Sequence, residues 1–381
     1  MIRQGLFLIL ISVSAHAKIK PEPSIKVRIA KSLENVWVRG IDLKKNLHLR
    51  NEQKEYQGRK TLNFKCKSTA SGNIKRSKPV LLASVGSNTG IVGWDDKKYK
   101  GELLLVANSA LTSCDLVNEI SLETYISSLL SKEVKHDWPE EALKAQAVAA
   151  RTYAYHKIET KEVSGVHGHE TYYDLENSEK HQVNGTALDE TSSTQKAAKN
   201  TKGEVLLTKA GKLTPTFFHS KCGGKTVLPQ NVWAHSVEGY RSIDCPFCND
   251  HGKKDWKILI TDTDLKKMLN EANGSKIFKN MHEHVTLIPD DKEKLNIRFY
   301  KNGDMYKVKK ADLRKVVGRA VLPSNNFILK PHPNGYMAEG SGFGHGVGMC
   351  QFGAFEMAKR GFNYRQILAY YFPGHKIEKI Y

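Results

Sequence analysis

Between Leu122 and Tyr155 the chain carries two consecutive helical periodicities interrupted at Trp138-Pro139, and this pairing constrains the fold more than any other feature. Leu122, Ile126, Leu129 and Leu130 recur at helical spacing, which aligns them on one face of a first helix. Pro139 suits the opening of a second helix, because the N–H it lacks is one that a first turn leaves unbonded, and Glu140 and Glu141 belong in that turn. Along the alanine-rich second helix, Leu143, Ala147, Ala150 and Ala154 form a face small enough for close helix packing. A tight helical hairpin is the expectation.

Glu133 breaks the pattern of the first helix. It follows Leu130, Leu129 and Ile126 by three, four and seven residues, so it lies along their apolar stripe. A carboxyl group in such a setting has its charged form disfavoured, the state a general acid needs near neutral pH. The plainer alternative is an acid at a frayed helix end beside Lys132 and Lys135. Lys144 and Arg151, two turns apart on the second helix, can flank this acid. Lys144 equally fits a solvated basic face, whereas Arg151, among Ala147, Val148, Ala150 and Tyr155, has little polar company. A cation close to Glu133 would lower its pKa and oppose burial, and spacing alone does not decide between the two effects.

The stretch from Leu122 to Tyr153 resembles the signature of the stage II sporulation protein D and LytB amidase-enhancer family. Two further stretches agree in family order: Phe217-Phe-His-Ser220-Lys-Cys-Gly-Gly224 with Asn231-Val-Trp233, and Gly342-Phe-Gly-His345-Gly-Val-Gly-Met-Cys-Gln351-Phe-Gly with the following Tyr364 to Gly374. The resemblance covers roughly residues 115 to 381, with interruptions. It implies a peptidoglycan lytic transglycosylase acting on glycan strands stripped of stem peptides, with Glu133 at the position of the family's catalytic acid. Other family members are described as enhancers of a cell-wall amidase, so a noncatalytic wall-binding activator is the alternative. Lys144, Arg151, Ser220, His345 and Gln351 are the substrate-binding candidates, expected with Glu133 along one elongated groove. One acid is enough for such a lyase, whose substrate supplies its own nucleophile; no cofactor is required for the chemistry.

Targeting and charge fit a wall-facing protein. Arg3, the apolar run Leu6 to Val13 and Ala15-His-Ala17 read as a secretory signal over residues 1–17, cleaved before Lys18, with an uncleaved signal as the alternative. Nothing later is long and apolar enough to span a membrane. Export to the periplasm, cell wall or beyond is expected. The formal net charge of +19 points to an acidic partner, and with no nucleic-acid module in an exported chain, wall carboxylates, anionic lipids or wall polymers are the available polyanions.

Residues 18–115 alternate short apolar segments with polar and glycine turns and predict a β-rich region, followed by a family-like domain with insertions over residues 116–381. A β-hairpin is expected over Gly203 to Phe218 around Ala210-Gly-Lys. A helix is expected from Asp262 or Asp264, and a strand through Leu295 to Tyr300 with a turn at Asn302-Gly303. The fold class is α+β, with the helical hairpin packed on mostly antiparallel sheet.

Six cysteines in an exported chain invite disulfides. Cys66 and Cys114 suit a bridge in the β-rich region. His219, Cys222, Cys245 and Cys248 offer a zinc-compatible ligand set for a structural ion, but a disulfide from Cys222 to Cys245 or Cys248, or free thiols, fit the spacing as well. Cys350 reads as a small buried residue. Where many family members carry a Cys-x-x-x-His-Cys-Gln-like loop, this chain has Glu176 to Gln182, with Glu176 and His181 at the cysteine positions, so the family's role for that loop does not transfer. The glycines at 342, 344, 346 and 348 lack the Lys and Ser or Thr of a phosphate loop; they suit close approach of backbone to a ligand or another segment.

Overall fold

A computed structural model describes residues 21–66, 78–161, 172–177, 182, 184–233, 235–248, 255–283, 285–288 and 295–381. The secretory signal expected over residues 1–17 lies outside them, as does His181. Among the described residues no helix is long and apolar enough to cross a membrane.

The first eight strands are β1 (Ser24–Leu33), β2 (Asn35–Leu47), β3 (Glu52–Lys65), β4 (Val80–Ser87), β5 (Ile91–Trp94), β6 (Lys97–Lys100), β7 (Glu102–Ala107) and β8 (Cys114–Ser121). With β9 (Leu175–Glu176) they make a nine-stranded sheet in the order β6-β5-β2-β4-β7-β8-β1-β9, with β3 on β2. Every pairing is antiparallel except β1 with β9. Alternation along β2 buries Val36 and Val38, a register shift between Ile41 and Leu43 brings Leu43 to the same core, and these meet Val85, Leu103, Leu105 and Leu116 there. Cys66 and Cys114 pair in a disulfide at the edge of that core.

Strand β8 runs directly into α1 (Leu122–Glu133), and α2 (Glu140–Thr160) returns against it; Pro139 itself is the N-cap of α2. Leu122, Ile126, Leu129 and Leu130 are fully buried against Ile25 and Val27 of β1, Leu143, Ala147 and Ala150 of α2, and α3 (Ser192–Asn200). The other face of α2, carrying Ala145, Val148 and Ala149, packs into a second core with Met349, Ala354, Ile367 and Tyr371. A helix apolar on both faces belongs inside a fold, and α2 is its axis. Burying each large side chain here contributes roughly 1.5–3 kcal/mol.

The Gly203 to Phe218 segment departs from the hairpin expectation. The turn forms, with Gly211 at φ 82° and Thr208 N–H donating to the Lys212 carbonyl, but only Leu207 and Leu213 pair across it. Pro215 has no N–H to extend the ladder. Strand Glu204–Thr208 pairs instead with the C-terminal strand His375–Lys379. The described residues between 255 and 341 build a separate core around Phe278, Phe299 and Phe327, with the helix Asp262–Asn273 capped by Thr261 and the strands Asn296–Lys301 and Asp304–Lys309 joined at Asn302-Gly303.

Candidate functional site

Glu133 is the last residue of α1, half-buried, with the extended Val134 closing the helix by donating its N–H to the Leu130 carbonyl. Its carboxyl group therefore stands at the negative end of the helix dipole. Two turns back along α1, Tyr125 is wholly buried. Burial first, then the Glu133 carboxylate and Tyr153, push its phenol well above the usual range, so it stays protonated and donates to Gln182 Oε1 at 3.3 Å.

The C-terminal motif meets this helix end. Gln351, nearly buried, places Nε2 3.5 Å from the Glu133 carbonyl and 3.5 Å from Gln146 Oε1. The next turn clamps the connection between α1 and α2, with Trp138 packed on Phe352 and Phe355 at ring distances of 5.4 and 5.0 Å. Lys221, also buried, holds its ammonium 4.8 Å from the Phe352 ring, and the Ser220 carbonyl accepts the Phe352 N–H at 3.1 Å. Glu133, Ser220 and Gln351 thus belong to one assembly.

The glycines explain how the segments come so close. Phe218 and His219 pair in parallel with Met349 and Cys350, and Lys221 pairs with Phe343. Gly348 sits at φ 73°, where an added Cβ would lie 2.1 Å from the Phe217 carbonyl oxygen; at Gly344, φ 111°, it would meet the His219 Cβ at 2.9 Å. The close approach is to another segment of the chain. Between them His345 packs against Trp233, His219 and Phe217 at 5.2, 5.5 and 6.4 Å. Its Nδ1 accepts the Val347 N–H at 3.0 Å. Burial, with His219, Arg314 and Arg319 nearby, holds this imidazole well below its usual range, so it is neutral. Phe217 packs in turn, with its ring tilted, against Tyr153 of α2 at 6.0 Å, joining the His345 cluster to the hairpin.

Two expected substrate contacts are placed elsewhere. Arg151 has no exposed surface; it forms a bidentate pair with Glu123 and donates to the Ala198 and Glu204 carbonyls. It is a buried tie between α1, α2 and α3, because an isolated guanidinium is tolerated inside a fold only when paired and hydrogen-bonded. Lys144 pairs with Glu140 and Glu141 of its own helix and faces the Tyr364 ring. A cavity of about 290 Å³ lies beside the start of α1, lined by Glu123, Ser127, Glu190 and Lys202 among others, away from Glu133.

The family model described as Stage II sporulation protein matches residues 111–207, the span containing the whole hairpin. The chain is 32% identical over 280 residues to an uncharacterised protein of Brachyspira hyodysenteriae, covering 73% of this chain and 71% of that protein. This chain belongs to the stage II sporulation protein D family. It is also similar to the amidase enhancer of Bacillus subtilis, with 26% identity across 80% of this chain and 46% of that protein. Against stage II sporulation protein D of Bacillus subtilis the identity is 25%, across 70% of this chain and 77% of that protein.

Within this family frame the loop departing from the cysteine pattern has its own account: Glu176 forms an ion pair with Arg28, which also pairs with Asp115 at 2.8 Å. The four remaining cysteines gather elsewhere. Cys222, Cys245, Cys248 and Cys350 are all buried, with their sulfur atoms within 4.8 Å of one another. Cys350 takes the place in this cluster that His219 holds in the sequence expectation. His219 instead turns its Nδ1 to the Val347 carbonyl at 3.0 Å, and burial lowers its pKa to about 4.

Sequence reasoning passed over Tyr125, Trp138 and Lys221. The first two were within reach: Tyr125 precedes Leu129 by one helical turn on the buried face, and Trp138 is a large apolar residue in the hairpin's connection. Lys221 had no local signal, because its burial depends on the glycine motif arriving from the other end of the chain.

Proposed function

We propose that this protein is a peptidoglycan lytic transglycosylase, cutting glycan strands between N-acetylmuramic acid and N-acetylglucosamine and leaving 1,6-anhydro ends, with Glu133 as its acid. The observation that carries the reading is the setting of Glu133, half-buried at the end of α1 beside the wholly buried Tyr125 and held from behind by Gln351. An ordinary glycoside hydrolase needs a second carboxylate to act as nucleophile or to activate water. In the lytic reaction the muramic acid C6 hydroxyl is the nucleophile, so one carboxyl group serves twice. The Glu133 carboxylic acid gives its proton to the glycosidic oxygen as the C1–O bond breaks; the resulting carboxylate takes the C6 hydroxyl proton as the O6–C1 bond closes. Proton count is restored and no water is consumed.

Lys221, rather than Arg151 or Lys144, brings a cation to this assembly, and we assign it to the lactyl carboxylate of the sugar. Trp233, half-buried over His345, offers an aromatic face for a sugar ring. Neutral His345, bonded to its own loop, shapes the site without exchanging protons. The net charge of +19 favours retention on an anionic wall once the chain is exported through its first 17 residues.

A second reading, a noncatalytic activator of a cell-wall amidase, draws on the 26% identity with the amidase enhancer. Products separate the two. The purified chain from Lys18 onward, incubated with denuded glycan strands, should release fragments with anhydromuramic ends by mass spectrometry. Unchanged glycan on both denuded and peptide-bearing material, with faster cleavage by an added cell-wall amidase, gives the function to the activator reading.

A further inference from the structure

Four cysteine sulfurs from three separate segments converge behind the glycine motif. Cys222 follows the strand Phe218–His219, Cys245 precedes the short turn Pro246–Cys248 that Cys248 ends, and Cys350 closes the strand Met349–Cys350. All four side chains are at most 3% exposed, and every sulfur lies within 4.8 Å of every other. Cys222 and Cys248 are 3.4 Å apart at sulfur, too far for a bond. In the same chain, Cys66 and Cys114 are bridged with their Cα atoms 5.5 Å apart, so the chain does bridge cysteines elsewhere.

Two disulfides would gather these sulfurs into bonded pairs. Mutual proximity of all four suits a tetrahedron instead: sulfurs about 2.3 Å from a central zinc lie roughly 3.8 Å from one another. The Cys245-Pro-Phe-Cys248 spacing is that of the paired ligands in structural zinc sites. The surroundings supply the donors that thiolate sulfur needs. Tyr371, itself 1% exposed, holds its hydroxyl 3.1 Å from Cys245 sulfur, and the Gly224 backbone bonds to Cys248. Gly353 leaves room for the cluster, since a Cβ there would stand 2.8 Å from Cys245 sulfur.

We propose that Cys222, Cys245, Cys248 and Cys350 bind one structural zinc ion as a tetrathiolate. Binding releases one proton from each thiol that was protonated, so the site fills more tightly as pH rises. With all four positions held by protein, no place is left for water or substrate, and the ion's work is mechanical. It fixes Cys350 beside Gln351, and so fixes the segment that touches the Glu133 carbonyl. This site does not depend on the reaction proposed above.

The test uses the full chain from Lys18, expressed with zinc in the medium and never reduced. Metal analysis should find about one zinc per chain. Denaturation with a chelator should then free four titratable thiols while Cys66–Cys114 stays bridged. Exchange with cobalt should give the intense thiolate charge-transfer and visible bands of a tetrahedral site. Cys222→Ser and Cys350→Ser should each lose most of the metal. Because the native protein is measured first, a variant that fails to fold leaves the test intact. Zinc-free protein with four thiols, or mass analysis showing two further disulfides in place of metal, would overturn the proposal.

Discussion

Glu123 and Arg151 form a bidentate ion pair, with Arg151 Nε 2.9 Å from Oε1 and Nη2 2.7 Å from Oε2, inside the junction of the first three helices. The same carboxylate accepts the Gly203 N–H at 3.0 Å and the Tyr381 hydroxyl at 2.7 Å, so the start of α1, the middle of α2 and the C-terminal residue share one anchor. Replacing Glu123 by Gln or Ala leaves a guanidinium buried without its counter-charge. Urea unfolding should show a loss of about 3–5 kcal/mol. A loss under about 1 kcal/mol would mean that the pair is surface-like in its energetics.

Burial holds His375 down to about 4 from 6.5, with Thr214 Oγ1 2.9 Å from its Nε2. Between those two values the unfolded chain binds a proton that the folded chain does not. Its contribution is therefore complete above about pH 6.5 and is lost as the pH falls toward about 4, by at most about 3 kcal/mol. Unfolding midpoints measured from pH 7 downward should drop over that window, and His375→Gln should flatten part of the slope while lowering stability at neutral pH.

The Cys66–Cys114 bridge closes a segment with a sequence separation of 48. A Cys66→Ser, Cys114→Ser double variant should lose about 2–4 kcal/mol, chiefly through a less restricted unfolded chain. The loss is read as a shift in the denaturant midpoint relative to the wild type.

Gly348→Ala places a Cβ 2.1 Å from the Phe217 carbonyl oxygen at a φ of 73° that suits glycine. Separation of the two segments is the only relief. A destabilisation above about 2 kcal/mol is expected. Gly211→Ala, with φ 82° but nothing within 4 Å, should cost only the backbone penalty and so less.

What could be read from the sequence was what local spacing encodes. Helical periodicity placed Ile126, Leu129 and Leu130 on the buried face of α1 and Glu133 at its margin. Arg151 was recognisable as an arginine in apolar company, yet its partner Glu123 lies in the other helix and no local pattern pairs them. The exchange of His219 for Cys350 in the sulfur cluster has the same cause: these two residues pair across strands far apart in sequence, and register at that distance is set by the glycines, not by cysteine spacing. The hairpin expected after Gly203 was half right, since its turn chemistry is real but Pro215 and the C-terminal strand decide the pairing.

The most direct test of the central claim compares wild type with Glu133→Gln on denuded glycan strands, scoring anhydromuramic ends by mass spectrometry beside unfolding curves for both proteins. The amide keeps the size of the side chain and removes the transferable proton. The account predicts product formation by the wild type, a loss of at least about 100-fold in the variant, and little change in stability. Equal product from both proteins, with the variant folded, would contradict it.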